Sequence, residues 1–122
     1  MGKNVLVVDD SGSFRTLVAM TLRKDGYDVT EAVDGQDAMA KLEGGRFNLI
    51  VCDLNMPKVD GFTFARHVKA SASHKFTPIL MLTTETAEAK KAEGRAAGVA
   101  AWLTKPFQPA RLVLAANSIC RA

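Results

Sequence analysis

Asp9 and Asp10 close the apolar run Val5 to Val8, Asp53 closes Leu49 to Cys52, Thr83 closes Ile79 to Leu82, and Lys105-Pro106 follows Trp102-Leu103. Three carboxylates, a hydroxyl and an ammonium thus stand at the ends of apolar runs. If those runs are neighbouring parallel strands, the five groups meet at one sheet edge, an arrangement that suits a divalent cation and a phosphoryl group. Two ionised carboxylates about 4 Å apart repel by roughly 4 kcal/mol at an effective dielectric of about 20, so the cluster needs a cation. Mg2+ fits best, because it prefers oxygen ligands and commonly binds through one or two carboxylates plus a phosphate. No Cys/His set has zinc spacing, and His67 and His74 read as surface residues. Each group has a plainer reading alone: Asp9 or Asp10 as a helix cap, Thr83 as a β-branched strand residue, Lys105 as a solvated lysine. Only the set points to chemistry.

The elements that would bring the set together follow from hydrophobic period. Apolar runs of strand length alternate with helical segments, the pattern of successive βαβ units around a parallel sheet. Val5 to Asp9 and Phe47 to Asp53 are continuous apolar strands, Ile79 to Thr83 is the most apolar, Ala101 to Thr104 is the last, and Tyr27 to Ala32 is weaker and edge-like. Ser11 or Ser13 caps a helix whose Phe14, Leu17, Val18 and Leu22 fall at helical spacing before Gly26 stops it. Ala38, Met39 and Leu42 mark a second helix ended by Gly44-Gly45, and Phe62, Ala65 and Val68 a third. The segment from about Thr86 to Ala97 is Ala-rich with a thin packing stripe, and Gly94 within it costs about 1 kcal/mol relative to Ala. Pro109 opens a final helix that turns Leu112, Ala116 and Ile119 inward. In open α/β sheets, ligand sites lie beyond the carboxyl ends of the strands, where all five candidate groups fall.

At 122 residues the expectation is one domain, 1–122, too small to include a separate output module. Hydrophobic residues at 48% and charged residues at 24% are the balance of a globular protein. The absence of a membrane-length apolar run or a signal core points to the cytoplasm and to no membrane insertion. Cys52 and Cys120 are too few for a disulfide framework and read as free thiols. The net charge of +3 is spread without a dense basic run, which argues against direct nucleic-acid binding. With the site residues set aside, the remaining surface is more basic still, so an acidic protein face is a fitting partner.

Four motifs carry a family resemblance: Val7-Val8-Asp9-Asp10-Ser11; Cys52-Asp53-Leu54-Asn55-Met56-Pro57 with Asp60-Gly61; Thr83-Thr84-Glu85; and Lys105-Pro106-Phe107. In this order and spacing the chain resembles a response-regulator receiver domain from end to end, most like the stand-alone chemotaxis (CheY-like) type. The resemblance implies a three-layer, doubly wound, flavodoxin-like α/β fold with five parallel strands in the order 2-1-3-4-5 and five helices. It implies that Asp53 is the phosphoacceptor for a histidine kinase or a small phosphodonor. Asp10, Asp53 and the backbone carbonyl of Asn55 would hold Mg2+, or Mn2+, with Asp9 acting through a coordinated water. Lys105 would pair with the phosphoryl oxygens, Thr83 would hydrogen-bond one of them, and the Lys105-Pro106 bond would be cis. Thr83 and Trp102 would form the switch, although Trp102 reads equally well as a core ring. Asn55 and Glu85 would tune loss of the phosphoryl group to water, and this polar pair implies a short-lived phosphorylated state. Thr84 is bulkier than the small residue often found at its position, and Trp102 is larger than the usual Tyr or Phe.

The resemblance further implies a monomeric signalling switch rather than an enzyme. Its output face would be the helix after Thr83, the last strand and the last helix, with Lys90, Lys91, Arg95 and Arg111 available to an acidic target such as a flagellar motor protein. A phosphorelay intermediate passing its phosphoryl group to a histidine phosphotransfer protein is a rival within the family. A small Mg2+-dependent aspartyl phosphatase is a rival of another class, but the length leaves little room for a segment that encloses a substrate.

Overall fold

Strands that are apolar on both faces are stable only where helices cover each side of the sheet, and the computed structural model, which describes residues 3–120, shows that arrangement. The strands β1 (Asn4–Val8), β2 (Asp28–Ala32), β3 (Leu49–Cys52), β4 (Ile79–Thr83) and β5 (Ala101–Thr104) alternate with helices α1 (Gly12–Lys24), α2 (Gly35–Gly44), α3 (Gly61–Ala70), α4 (Glu88–Ala96) and α5 (Pro109–Cys120). All strand pairs are parallel, in the order β2-β1-β3-β4-β5. The expected doubly wound three-layer fold is therefore the one observed.

Side chains alternate across each strand, and the two cores follow that period. Leu6, Val8, Ile50, Cys52, Ile79 and Met81 face α2 and α3, meeting Leu42, Phe62, Ala65 and Val68. Val5, Val7, Leu49, Val51, Leu80 and Leu82 face α1 and α5, meeting Val18, Leu22, Leu112 and Ala116. Helix ends are set locally: the Ser11 hydroxyl accepts from Phe14 N, Asp34 from Asp37 N and Asp60 from Thr63 N, each satisfying an otherwise unpaired first-turn donor. Past α1, Gly26 takes φ +95°, a left-handed conformation open to glycine without a Cβ penalty.

Several expectations need correction. β3 begins at Leu49 rather than Phe47, β2 at Asp28 rather than Tyr27, and α4 at Glu88. Leu17 points outward and is 41% exposed, because the buried stripe of α1 runs through Val18, Ala19 and Leu22. His74 is buried, at 8% exposed, and not a surface residue; its Nε2 lies 2.9 Å from the Leu42 carbonyl oxygen at the end of α2. That carbonyl is among the last in its helix, where Gly45 N reaches it at 3.3 Å and the ring from a distant loop supplies a second, shorter contact. His67 is exposed as expected. Cys52 and Cys120 are both free and buried. Among the described residues, no helix is long and apolar enough to cross a membrane.

Tyr27, the chain's one tyrosine, packs against the α5 side of the sheet, with its hydroxyl hydrogen-bonded to Asn117 Oδ1. Burial first, and the adjacent Cys120 thiol second, push its pKa up to about 12. The unfolded chain releases this proton near pH 10, while the folded protein holds it to about pH 12. The folded state binds more protons across that interval, so the contribution of Tyr27 to stability is intact below about pH 10 and falls as pH rises toward 12, by on the order of 2 kcal/mol, adding to the loss from the raised Cys52 and Cys120 thiols. Denaturant unfolding across this window should show the decline, and Tyr27→Phe should make it shallower. An equal decline in the Phe variant would assign the effect to other groups.

Candidate functional site

Sheet hydrogen bonding runs one residue past three of the strands and fixes the backbone of the candidate residues. Asp9 N donates to Ala32 O at 3.2 Å, Asp53 N to Val8 O at 3.0 Å, and Lys105 N to Thr83 O at 2.8 Å. Asp9, Asp53, Thr83 and Lys105 therefore emerge at the carboxyl edge of the sheet because neighbouring strands end in register, with Val8 beside Cys52 and Thr83 beside Thr104. The Lys105-Pro106 peptide bond is cis, as expected.

The side chains converge. Lys105 Nζ donates to Asp9 Oδ2 at 2.7 Å and reaches Asp53 Oδ2 at 3.5 Å. The remaining carboxylate oxygens are held by local backbone: Asp9 Oδ1 accepts from Ser11 N at 2.9 Å, and Asp53 Oδ1 from Leu54 N at 2.7 Å. Asp10 is exposed, yet Asp9, Asp10 and Asp53 each offer an oxygen within 4.8 Å of the others. Asp9, Asp53 and Lys105 are only 3%, 9% and 7% exposed, so their charges interact with little screening by solvent. Three carboxylates face one ammonium, which leaves a net negative site.

The donor set fits a hard divalent cation. Every candidate ligand atom is an oxygen, from a carboxylate or the Asn55 carbonyl, and the sulfur of Cys52 beside them is withheld. Cys52 Sγ donates to Asp53 O, and burial first, then the Asp53 and Asp9 charges, push its thiol well above the usual range, keeping it protonated. Asn55 lies exposed two residues beyond Asp53, on the loop between β3 and α3.

Thr83 is fully buried at the end of β4, where its Oγ1 accepts from Glu85 N at 3.3 Å. The Glu85 carbonyl in turn accepts from Trp102 Nε1 at 3.0 Å. One residue thus joins the hydroxyl at the site to the indole on β5. The Trp102 ring is half-buried, 6.2 Å from the Phe62 ring between centroids. It also lies where a Cβ on Gly94 would come within 3.0 Å of it. Gly94 is the one buried residue of α4, so the glycine that lowers helix propensity there is the seat for an aromatic ring. Of the remaining basic candidates, Lys90, Arg95 and Arg111 are exposed, Lys91 is half-buried, and Lys90 and Lys91 form long ion pairs with Glu93 and Glu88. Phe14 belongs by its spacing to an ordinary helical stripe, yet Lys105 Nζ sits 4.3 Å from its ring centroid. No local pattern marks it, because the partner lies just past a strand at the other end of the chain.

The sequence pattern of the response regulator receiver domain matches residues 5–117. The chain is 38% identical over 112 residues to Protein PilG of Pseudomonas aeruginosa, covering 92% of this chain and 83% of PilG. It also matches two transcriptional regulatory proteins of Bacillus subtilis, of which it spans 48% and 50%. Among solved structures, chemotaxis protein CheY4 of Vibrio cholerae superposes with a TM-score of 0.94 at 47% identity, covering 98% of this chain and 99% of CheY4. The receiver domain of the sensor histidine kinase PA1611 from Pseudomonas aeruginosa, solved with a magnesium ion in its active-site cleft, superposes with a TM-score of 0.92 at 29% identity over all of both chains.

Proposed function

Because the chain belongs to the response regulator receiver domain family, we propose that it is a chemotaxis-type signalling switch in which Asp53 accepts a phosphoryl group from a histidine kinase. The observation that carries this reading is the Lys105 ammonium held between Asp9 and Asp53 inside a three-carboxylate cluster. An Asp53 oxygen forms the new P–O bond as the P–N bond to the kinase imidazole breaks, and the departing imidazole takes up a proton. Asp10, Asp53 and the Asn55 carbonyl would hold Mg2+ or Mn2+, with Asp9 acting through water. When bound, the metal offsets the repulsion between anionic nucleophile and anionic phosphate. Lys105 takes the phosphoryl oxygens as new partners. Thr83 donates its hydroxyl to one of them, which loosens its contact with Glu85 N and, through the Glu85 carbonyl, the tether on Trp102. Asn55 and Glu85 then set how quickly water removes the group.

The protein acts on its own aspartyl phosphate and turns over no external substrate, so it is a switch rather than an enzyme. Its output face is α4, β5 and α5, with Arg95 and Arg111 presented to an acidic partner. Kinship with the chemotaxis protein CheY4 supports a chemotaxis target, which the protein meets as a monomer in the cytoplasm.

Incubation with Mg2+ and acetyl phosphate should add the mass of one phosphoryl group, stable to acid and labile to base, on the peptide containing Asp53. EDTA should prevent it, and the fluorescence of Trp102, the only tryptophan, should change with the same time course. A full-length protein that gains no mass under these conditions would end the reading.

A further inference from the structure

Resting on the assignment of Asp53 as phosphoacceptor, we propose that Phe14 is a positioning residue for the transfer: its ring holds the Lys105 ammonium in place while that ammonium exchanges Asp53 for the phosphoryl oxygens. An ammonium has three donors and no acceptor. At Lys105 Nζ two directions meet carboxylates, Asp9 at 2.7 Å and Asp53 at 3.5 Å, and the Phe14 ring stands 4.3 Å away by its centroid. The negative face of an aromatic ring attracts a cation, more strongly where water is excluded, and Lys105 is only 7% exposed.

The local chain explains why ring and carboxylate arrive together. Ser11 N donates to Asp9 Oδ1 at 2.9 Å, and Ser11 Oγ accepts from Phe14 N at 3.4 Å. A single turn at the start of α1 therefore sets both the shorter ion-pair partner and the ring. The longer contact, to Asp53, is the one exchanged when that carboxylate becomes an acyl phosphate, while the contacts to Asp9 and Phe14 persist. A neutral ring suits this position better than either alternative. A fourth carboxylate would add repulsion to a site already holding three, and a leucine would exclude water without offering a quadrupole to the ammonium.

Initial rates of mass gain with Mg2+ and acetyl phosphate, in which an Asp53 oxygen bonds to phosphorus and acetate departs, test the role in Phe14→Leu and Phe14→Tyr, each alone and combined with Lys105→Ala. The Leu variant should slow about tenfold and the Tyr variant should keep the wild-type rate. With Lys105→Ala present, Phe14→Leu should cost nothing further, a result that a merely structural role would not give. An independent arm needs no phosphodonor: the Lys105 Cε protons should show ring-current displacement by NMR in the wild type and in Phe14→Tyr, and lose it in Phe14→Leu. A Leu variant at the wild-type rate, equal losses in both backgrounds, or undisplaced Lys105 resonances in the wild type would each overturn the proposal. Wild-type protein that shows displaced resonances but takes up no phosphoryl group would instead remove the phosphoacceptor reading, and the transfer role with it.

Discussion

Asp53→Asn should leave the protein folded and unable to take up a phosphoryl group. The amide oxygen can keep the contact that Asp53 Oδ1 makes with Leu54 N at 2.7 Å, so the loop after β3 retains its anchor. The other position becomes an NH2 group facing Lys105, which still has Asp9 at 2.7 Å. One of three mutually repelling carboxylates is gone, so stability should stay within about 1 kcal/mol of wild type or rise. The chemistry responds quite differently, because an amide is not a nucleophile toward phosphorus. Uptake from acetyl phosphate should fall at least about a thousandfold, below detection by intact-mass measurement. A base-labile gain persisting in the variant would move the acceptor to another carboxylate, and a loss accompanied by unfolding would leave no case for a specific role.

Gly61→Ala is expected to be the most damaging single methyl in the molecule. Gly61 is the first residue of α3, buried, with its N–H donating to Leu54 O at 2.8 Å. A Cβ there would lie 2.4 Å from the Asp53 carbonyl oxygen and 2.8 Å from Leu54 Cα. Both atoms are backbone, so no side-chain rotation relieves the clash. Either α3 moves off the sheet, opening the core around Phe62, Ala65 and Val68, or the loop carrying Asp53 moves. The cost should reach about 3 kcal/mol, the upper part of the usual range for overpacking, which for a domain of this size lowers Tm by about 10 °C. Phosphoryl uptake should fall in the same variant, since the atom struck belongs to the acceptor residue itself. A melting temperature equal to wild type would show that the start of α3 yields more easily than the contact distances imply.

Much of the fold and of the site is legible in the amino-acid sequence. β1, β3 and β4 lie between two helical layers, so they show as unbroken apolar runs, and the polar residue that ends each run marks where the chain leaves the sheet. Asp9, Asp53 and Thr83 stand out for that reason, and Lys105 through the Pro106 that follows it. What stays hidden depends on partners distant in the chain. His74 carries no local mark of burial, because the carbonyl it satisfies belongs to α2. Gly94 reads as a helix fault until the Trp102 ring is seen against it. Gly61 reads as the end of a turn before the third helix, and nothing nearby in the chain records how close the Asp53 backbone passes. Tyr27 and Phe47 read as strand entries because both side chains are apolar and pack against the sheet from just outside it.

Lys105 is separated from Asp53 by 52 positions and from Asp9 by 96, and they meet only through parallel pairing of β1, β3, β4 and β5. During folding, then, Asp9 and Asp10 are neighbours in the chain from the start, Asp53 joins them when β1 and β3 pair, and the ammonium that offsets their repulsion arrives only with the chain past β5. Relaxing that repulsion should slow unfolding and so prolong the lifetime of the native state. The acidic groups that make this edge reactive are the same ones that shorten the molecule's endurance, and natural selection has had to hold those two demands in balance at a single place.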